Sequence, residues 1–179
     1  MTVTLNRPDV RNALNEALIA ELSAWARGCG LLSFVGAAYS DAVTTEFPNA
    51  PNENSQENDR DLSGETLYNA PRWTGNVGLQ YAHGVAEGIN GYVNANYAYR
   101  ASTYGTLDAS EYARIPAYSV SNFSVGLRTT SGTAWDVSLW VKNAFDKQYY
   151  TSLWNSSFGS YNAVIGTPRT VGVTGRYEF

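Results

Sequence analysis

The titratable chemistry of this sequence is concentrated in one stretch. Between Asp41 and Pro71 stand Asp41, Glu46, Glu53, Glu57, Asp59, Asp61 and Glu65 with Arg60 the only base, so the stretch carries −6 in a chain whose net charge is −4. Carboxylates at this density could take a hard cation through carboxylate and carbonyl oxygens. The run Glu57-Asn58-Asp59-Arg60-Asp61 nevertheless lacks the glycine and terminal glutamate of an EF-hand loop, and its composition is that of a solvated polar loop. His83, the only histidine, falls in an expected short turn with no nucleophile or carboxylate at an interpretable spacing, and reads as a solvated surface group. A single cysteine, Cys29, allows neither an internal disulfide nor a cysteine-based zinc site. No nucleophile elbow, Walker loop, zinc motif or dinucleotide fingerprint occurs. No catalytic residue, no cofactor and no metal ligand is therefore expected.

The remaining chemistry is aromatic. Trp73, Tyr81, Tyr97, Tyr99, Tyr104, Tyr118, Trp135, Tyr149, Tyr150, Trp154 and Tyr177 cluster near the ends of alternating segments. A side chain with an apolar body and a polar tip suits a lipid–water boundary, whereas a soluble sandwich buries its aromatics mid-strand. Trp73, Tyr81, Tyr97, Tyr99, Tyr118, Trp135, Tyr149 and Tyr150 are accordingly expected to be interfacial aromatics.

The elements that must position these rings follow from periodicity. Trp73, Gly75, Val77, Leu79 and Tyr81 alternate with Thr74, Asn76, Gly78, Gln80 and Ala82. Ile89, Val93, Ala95, Tyr97 and Tyr99 alternate with Asn90, Asn94, Asn96 and Arg100; Trp135, Val137, Leu139 and Val141 with Asp136, Ser138 and Lys142, where Trp140 breaks the polar side. Val171, Val173, Tyr177 and Phe179 alternate with Thr170, Thr174, Arg176 and Glu178. A two-residue period gives a sheet with one apolar and one polar face. Leu31 to Ser40 and Tyr118 to Arg128 are two less regular strands, which makes six. Short connections, around His83 to Gly88 and Thr130 to Thr133, alternate with long ones, roughly Asp41 to Pro71, Ser102 to Pro116 and Tyr150 to Pro168. In an up-and-down antiparallel sheet that alternation places every long loop at one rim, as in an outer-membrane barrel.

The first 27 residues differ. Thr2 to Leu5 is β-prone, Asn6-Arg7-Pro8-Asp9 is turn chemistry, and Leu14, Leu18, Leu22 and Trp25 recur at helical spacing before Gly28 and Gly30. A strand, a turn and an amphipathic helix over Asn12 to Arg27 are expected. The division drawn is residues 1–30 as a strand–turn–helix segment and 31–179 as barrel strands.

Composition limits the partners. Charged residues make up 16% of the chain, ten of its twelve bases are Arg, and the pI is near 4.9, so an electrostatic nucleic-acid binder is ruled out. No apolar run is long enough for a transmembrane helix, and the N-terminus lacks the layout of a signal peptide. Alternating barrel strands escape both tests, because they keep mean hydropathy low.

Three segments carry a family resemblance: Asp61-Leu62-Ser63-Gly64 with Asn69-Ala70-Pro71-Arg72-Trp73-Thr74-Gly75-Asn76; Leu139-Trp140-Val141-Lys142-Asn143-Ala144-Phe145-Asp146-Lys147-Gln148-Tyr149-Tyr150; and Gly166-Thr167-Pro168-Arg169-Thr170-Val171-Gly172-Val173 through Arg176-Tyr177-Glu178-Phe179. From about Leu31 to Phe179 the chain resembles the C-terminal end of a TonB-dependent outer-membrane receptor. The resemblance implies an all-β, antiparallel up-and-down meander of about six strands that forms an incomplete transmembrane β-barrel, a location in the cell outer membrane, and no enzymatic activity. It implies uptake of a siderophore or other nutrient, with outer-membrane lipid and the barrel-assembly machinery as partners and TonB engaged only by the full-length receptor. Tyr177 and Phe179 resemble the terminal barrel-assembly signal, with Thr174 where that signal has a glycine. Barrels of this kind close with about 22 strands, so six alone are expected not to transport.

Val3 to Asn15 resembles the opening strand and helix of the enoyl-CoA hydratase (crotonase) family, whose downstream catalytic segments do not follow. The combination reads as a fusion, a misassembled reading frame or a rearranged fragment. An enoyl-CoA hydratase-like enzyme fragment and a soluble β-barrel or sandwich ligand-binding module are the alternative functions.

Overall fold

The computed structural model describes residues 2–6, 30–50, 60–107, 109–129, 134–156 and 159–178. Its strands are β1 (Thr2–Asn6), β2 (Leu31–Tyr39), β3 (Asp41–Glu46), β4 (Trp73–Ala86), β5 (Ile89–Arg100), β6 (Thr103–Tyr104), β7 (Arg114–Ile115), β8 (Tyr118–Thr129), β9 (Trp135–Lys142), β10 (Tyr150–Asn155), β11 (Tyr161–Ile165) and β12 (Thr170–Tyr177). Among the described residues the only helix is a 3₁₀ turn, Glu111–Ala113. The helix expected over Asn12 to Arg27 lies outside them, while the β-prone opening is a strand.

All six expected strands join one antiparallel sheet in the order β2-β4-β5-β8-β9-β12, a meander in which each strand lies beside its predecessor in the alternating set. Its register turns the separate alternations into continuous rows. Ser33, Leu79, Ala95, Phe123, Val141 and Val171 follow one another across the sheet, and Leu31, Tyr81, Val93, Val125, Leu139 and Val173 form the next row on the same face. The opposite face carries Gln80, Asn94, Asn96, Asn122 and Ser124, joined in part by side-chain hydrogen bonds such as Asn94 Nδ2 to Ser124 Oγ at 3.0 Å.

The two-residue turn Glu87-Gly88 between β4 and β5 uses Gly88 at φ +71°, where a side chain would be strained. β4 therefore runs on to Ala86 through a register shift between Gly84 and Ala86. This displaces the expected turn: His83 is a strand residue, opposite Gly91, exposed and stacked on the Tyr81 ring at 6.4 Å.

The long connections contain structure that their composition did not announce. β3 pairs with β1, β6 with β7, and β10 with β11 in a hairpin. Every buried apolar side chain among the described residues, Ala42, Ala50, Leu62, Ala113, Ile115 and Leu153, lies in these connections. None lies in the six-stranded sheet, where Val125 is 51% exposed and Leu139 54%. A soluble domain buries such rows; this sheet presents them to its surroundings.

That inversion gives a direct test. With the chain reconstituted in phospholipid vesicles, Val125→Arg on the apolar face is expected to destabilise by about 2–4 kcal/mol, while Asn76→Arg on the polar face stays within about 1 kcal/mol, both read by guanidinium titration. Equal costs on the two faces would contradict the assignment.

Candidate functional site

The candidate site is the apolar face and the rims that bound it. At the long-loop rim, Tyr39 and Trp73 are cross-strand partners with ring centroids 4.8 Å apart, and Tyr99 and Tyr97 continue along β5 on the same face. Toward the short-turn end stand Tyr81, level in register with Val93, Val125, Leu139 and Val173, and, farther along, Trp135 and Tyr177, opposite each other across β9 and β12. Among these rings lie the exposed apolar side chains Val77, Leu79, Val93, Val125, Leu139 and Val173.

Of the eight aromatics singled out in the sequence, five, Trp73, Tyr81, Tyr97, Tyr99 and Trp135, stand on this face. Tyr118 is opposite Arg100 and so on the polar face, where its ring stacks on Tyr149 at 4.4 Å. Tyr150 opens the β10–β11 hairpin beyond the sheet. Of the terminal pair, Tyr177 ends β12 and Phe179 lies outside the described residues. Tyr39 and Phe145 went unnoticed in the sequence. Phe145, 76% exposed, meets the outward Phe123 edge-on at 6.3 Å and extends the rim of rings. Its signal lies in the motif Asn143-Ala144-Phe145-Asp146, where an aromatic follows directly on the end of β9.

The polar face is concave. A hollow of about 490 Å³ runs along it from Leu32 and Phe34 on β2 to Trp140 and Lys142 on β9. Trp140, the residue that breaks the alternation, donates from Nε1 to Thr174 Oγ1 at 3.0 Å, lies over Gly172, and has the Lys142 ammonium 5.3 Å from its ring. An indole on the polar face is thus satisfied at its polar tip and packed at its ring.

The motif segments anchor the loops to the rim. Asp61 Oδ1 accepts the Ser63 amide at 2.9 Å, Leu62 is buried, Ser63 Oγ accepts the Phe47 amide at 2.9 Å, and Gly64 takes φ +81°. The hydrogen bonds from Ser63 hold the Asp61 carboxyl below the ordinary carboxylate range. Arg72 Nε pairs with Asp41 at 3.3 Å on the surface, a contact worth little by itself. Asn143 is buried: its amide donates to the carbonyls of Lys147 and Thr167 at 2.9 and 3.0 Å, and its Oδ1 accepts the Lys147 amide at 2.9 Å. Its own amide donates to Asn122 Oδ1 on β8, and Asp146 Oδ1 accepts the Arg169 amide just before β12. Asn143 and Asp146 both sit at positive φ, which Asn and Asp tolerate best among residues with side chains. Two carboxamide and carboxylate side chains thereby tie the end of β9 to its neighbours on both sides.

Of the acids in the first loop, Glu53, Glu57 and Asp59 lie outside the described residues. Among the described ones, no three of His, Cys, Asp and Glu converge where a metal could be held. Among the described residues no helix is long and apolar enough to cross a membrane, a test that does not bear on β-barrels.

Residues 20–144 match the sequence profile of the family described as TonB dependent receptor-like, beta-barrel. The chain belongs to this family. It is a family of outer-membrane transporters, not enzymes, and the matched stretch contains the motif segments around Asp61 and Asn69. Among solved structures, the ferric preacinetobactin receptor BauA of Acinetobacter baumannii superposes with a TM-score of 0.65 at 16% identity over 84% of this chain and 20% of its own. The ferric yersiniabactin uptake receptor FyuA of Yersinia pestis gives 0.63 at 19%, over 84% and 21%. The siderophore receptor PiuA of Acinetobacter baumannii gives 0.58 at 19%, over 82% and 19%. At these identities the likeness is one of fold, and the chain spans about a fifth of each receptor. No curated protein matches in sequence. The crotonase resemblance of residues 1–27 finds no support in these comparisons: the receptor match begins within that segment, and β1 pairs with β3.

Two outcomes follow for the loop anchors. Asn143→Ala, which leaves an amide and two carbonyls without their partner, is expected to cost roughly 2 kcal/mol or more in guanidinium titration of the vesicle-bound chain. Because the Asp61 carboxyl is depressed in the folded chain, its contribution is complete above the ordinary Asp value, about 3.9, and is lost as pH falls through the lower folded value. Exchange of the Ser63 amide should stay slow down to about pH 4 and accelerate below it relative to Asp61→Asn, in which that acceleration is absent.

Proposed function

We propose that these six strands are a section of the wall of an outer-membrane receptor for a ferric siderophore or another scarce nutrient, with lipid against the apolar face. The observation that carries the reading is the sheet itself: an exposed apolar face with aromatics toward both ends, no buried apolar side chain of its own, and all three long connections at one end. The roles of the similar structures, in ferric preacinetobactin, ferric yersiniabactin and siderophore reception, support the ligand class. Trp73, Tyr81, Tyr97, Tyr99 and Trp135, with Tyr177, are the interfacial anchors. Outer-membrane lipid is the immediate partner, the barrel-assembly machinery the inserting one through Tyr177 and Phe179, and TonB acts only in a complete receptor.

Six strands do not transport by themselves. Among the described residues nothing pairs with the outer edges of β2 and β12, and in hydrocarbon each unpaired N–H or C=O costs several kcal/mol. A closed wall is needed before ligand can be moved through it.

Expressed with an outer-membrane export signal in a Gram-negative host, the chain should fractionate with outer membranes and require detergent for extraction. It should not restore growth under iron limitation to a strain lacking its siderophore receptors. A folded, monodisperse monomer in detergent-free buffer would refute the wall assignment, and restored growth would refute the claim of incompetence.

A further inference from the structure

The polar face carries three cross-strand pairs of one kind: Phe34 opposite Gly78, Tyr92 opposite Gly126 and Trp140 opposite Gly172. In each the ring lies over the glycine so closely that a Cβ there would overlap it. Their distribution is not random. The pairs fall at β2–β4, β5–β8 and β9–β12, the three strand pairs joined by long connections. At β4–β5 and β8–β9, joined by short connections, no ring covers its opposite glycine. In each pair the ring comes from the strand leading into the loop and the glycine from the strand leading out.

A tight turn sets the register of the strands it joins; a long loop does not. A slip of two residues in a long-loop pair preserves inward and outward faces, so alternation alone does not forbid it. A ring that must sit on a glycine does forbid it, because two residues along the partner strand lies a side chain and not a bare backbone. On the same face, two residues away on either side, Gly126 has Ser124 and Arg128, Gly78 has Asn76 and Gln80, and Gly172 has Thr170 and Thr174. Tyr92 exploits the gap further: its ring crosses β8 at Gly126, and its hydroxyl donates to Asp136 Oδ1 on β9 at 2.8 Å. A fourth ring-on-glycine contact, Tyr149 on Gly166, closes the base of the β10–β11 hairpin outside the sheet.

We infer that Phe34, Tyr92 and Trp140 are register-setting residues, each substituting for the turn that its long-loop strand pair lacks. They act on assembly of the wall, and the inference rests on the sheet geometry whether or not the chain takes up a nutrient.

Disulfide formation reads the register directly, because directly opposite residues lie within bridging distance and those displaced by two do not. In the full chain carrying Cys29→Ser and folded into phospholipid vesicles, Asn94→Cys is combined with Ser124→Cys for the native register or Asn122→Cys for a two-residue slip. Tyr92→Ala is expected to lower the ratio of native to slipped disulfide about three- to tenfold. Tyr92→Phe, which keeps the ring and loses the hydroxyl bond to Asp136, should restore the ratio. The short-turn pair Gln80→Cys with Asn94→Cys should be unaffected throughout. Phe34→Ala, read through cysteines at Leu32 and Gln80 for the native register, repeats the test on a ring with no hydroxyl. An unchanged ratio in both alanine variants would overturn the inference. So would equal loss in Tyr92→Ala and Tyr92→Phe, or a parallel fall in the short-turn pair.

Discussion

The structure depends on where its apolar surface is satisfied. In the six-stranded sheet the main chain is paired from strand to strand, yet the side chains of its apolar face, Leu79, Val93, Val125, Leu139 and Val173 among them, remain uncovered. At roughly 25 cal/mol for each Å² left in water, rows of this extent would make the sheet a poor soluble object. A hydrocarbon surrounding removes that cost and imposes another, since every backbone polar group must then find a partner within the wall. The meander, the rims of rings and the open edges of β2 and β12 all take their meaning from that exchange of solvent.

The loops obey the opposite rule. They reach into water, so they hold together by small buried clusters and saturated polar groups. Leu62 is buried within the Asp61-Ser63 turn; the backbone of Leu153 on β10 lies against Gly105, with Leu153 and Ile115 both buried; the Asn143 carboxamide joins the end of β9 to the main chain of Lys147 and Thr167. The division into a wall without a core and loops with small cores explains why the recognisable motifs lie at the rim. There a specific side chain, such as Asn143 at positive φ, is required, whereas along the strands any outward apolar residue serves.

The same division decides what could be read beforehand. The six strands were legible because Val77-Leu79-Tyr81 and Trp135-Val137-Leu139-Val141 alternate over their whole length, and the meander followed from the alternation of short and long connections. β3, β6, β7, β10 and β11 were hidden: they are short, and their pairing is supported by single buried residues such as Ala42 and Leu153, not by a periodic face. The face of Tyr118 depended on a register with Arg100 that the sequence of β8 does not encode by itself. Trp140 looked like an interruption because its partner Gly172 lies beyond a long loop. The exposed apolar face was thus largely visible in the sequence, and the polar face, where side chains from distant segments meet, was not.

The most direct measurement of the central claim is a nitroxide scan of β8 in vesicles, placing labels one at a time from Asn122 to Leu127 and measuring collision with oxygen, which partitions into lipid, against a water-soluble nickel chelate. A period of two is expected, with 123, 125 and 127 exposed to oxygen and shielded from nickel and 122, 124 and 126 the reverse. Equal access to nickel at both sets would contradict a sheet that faces lipid on one side.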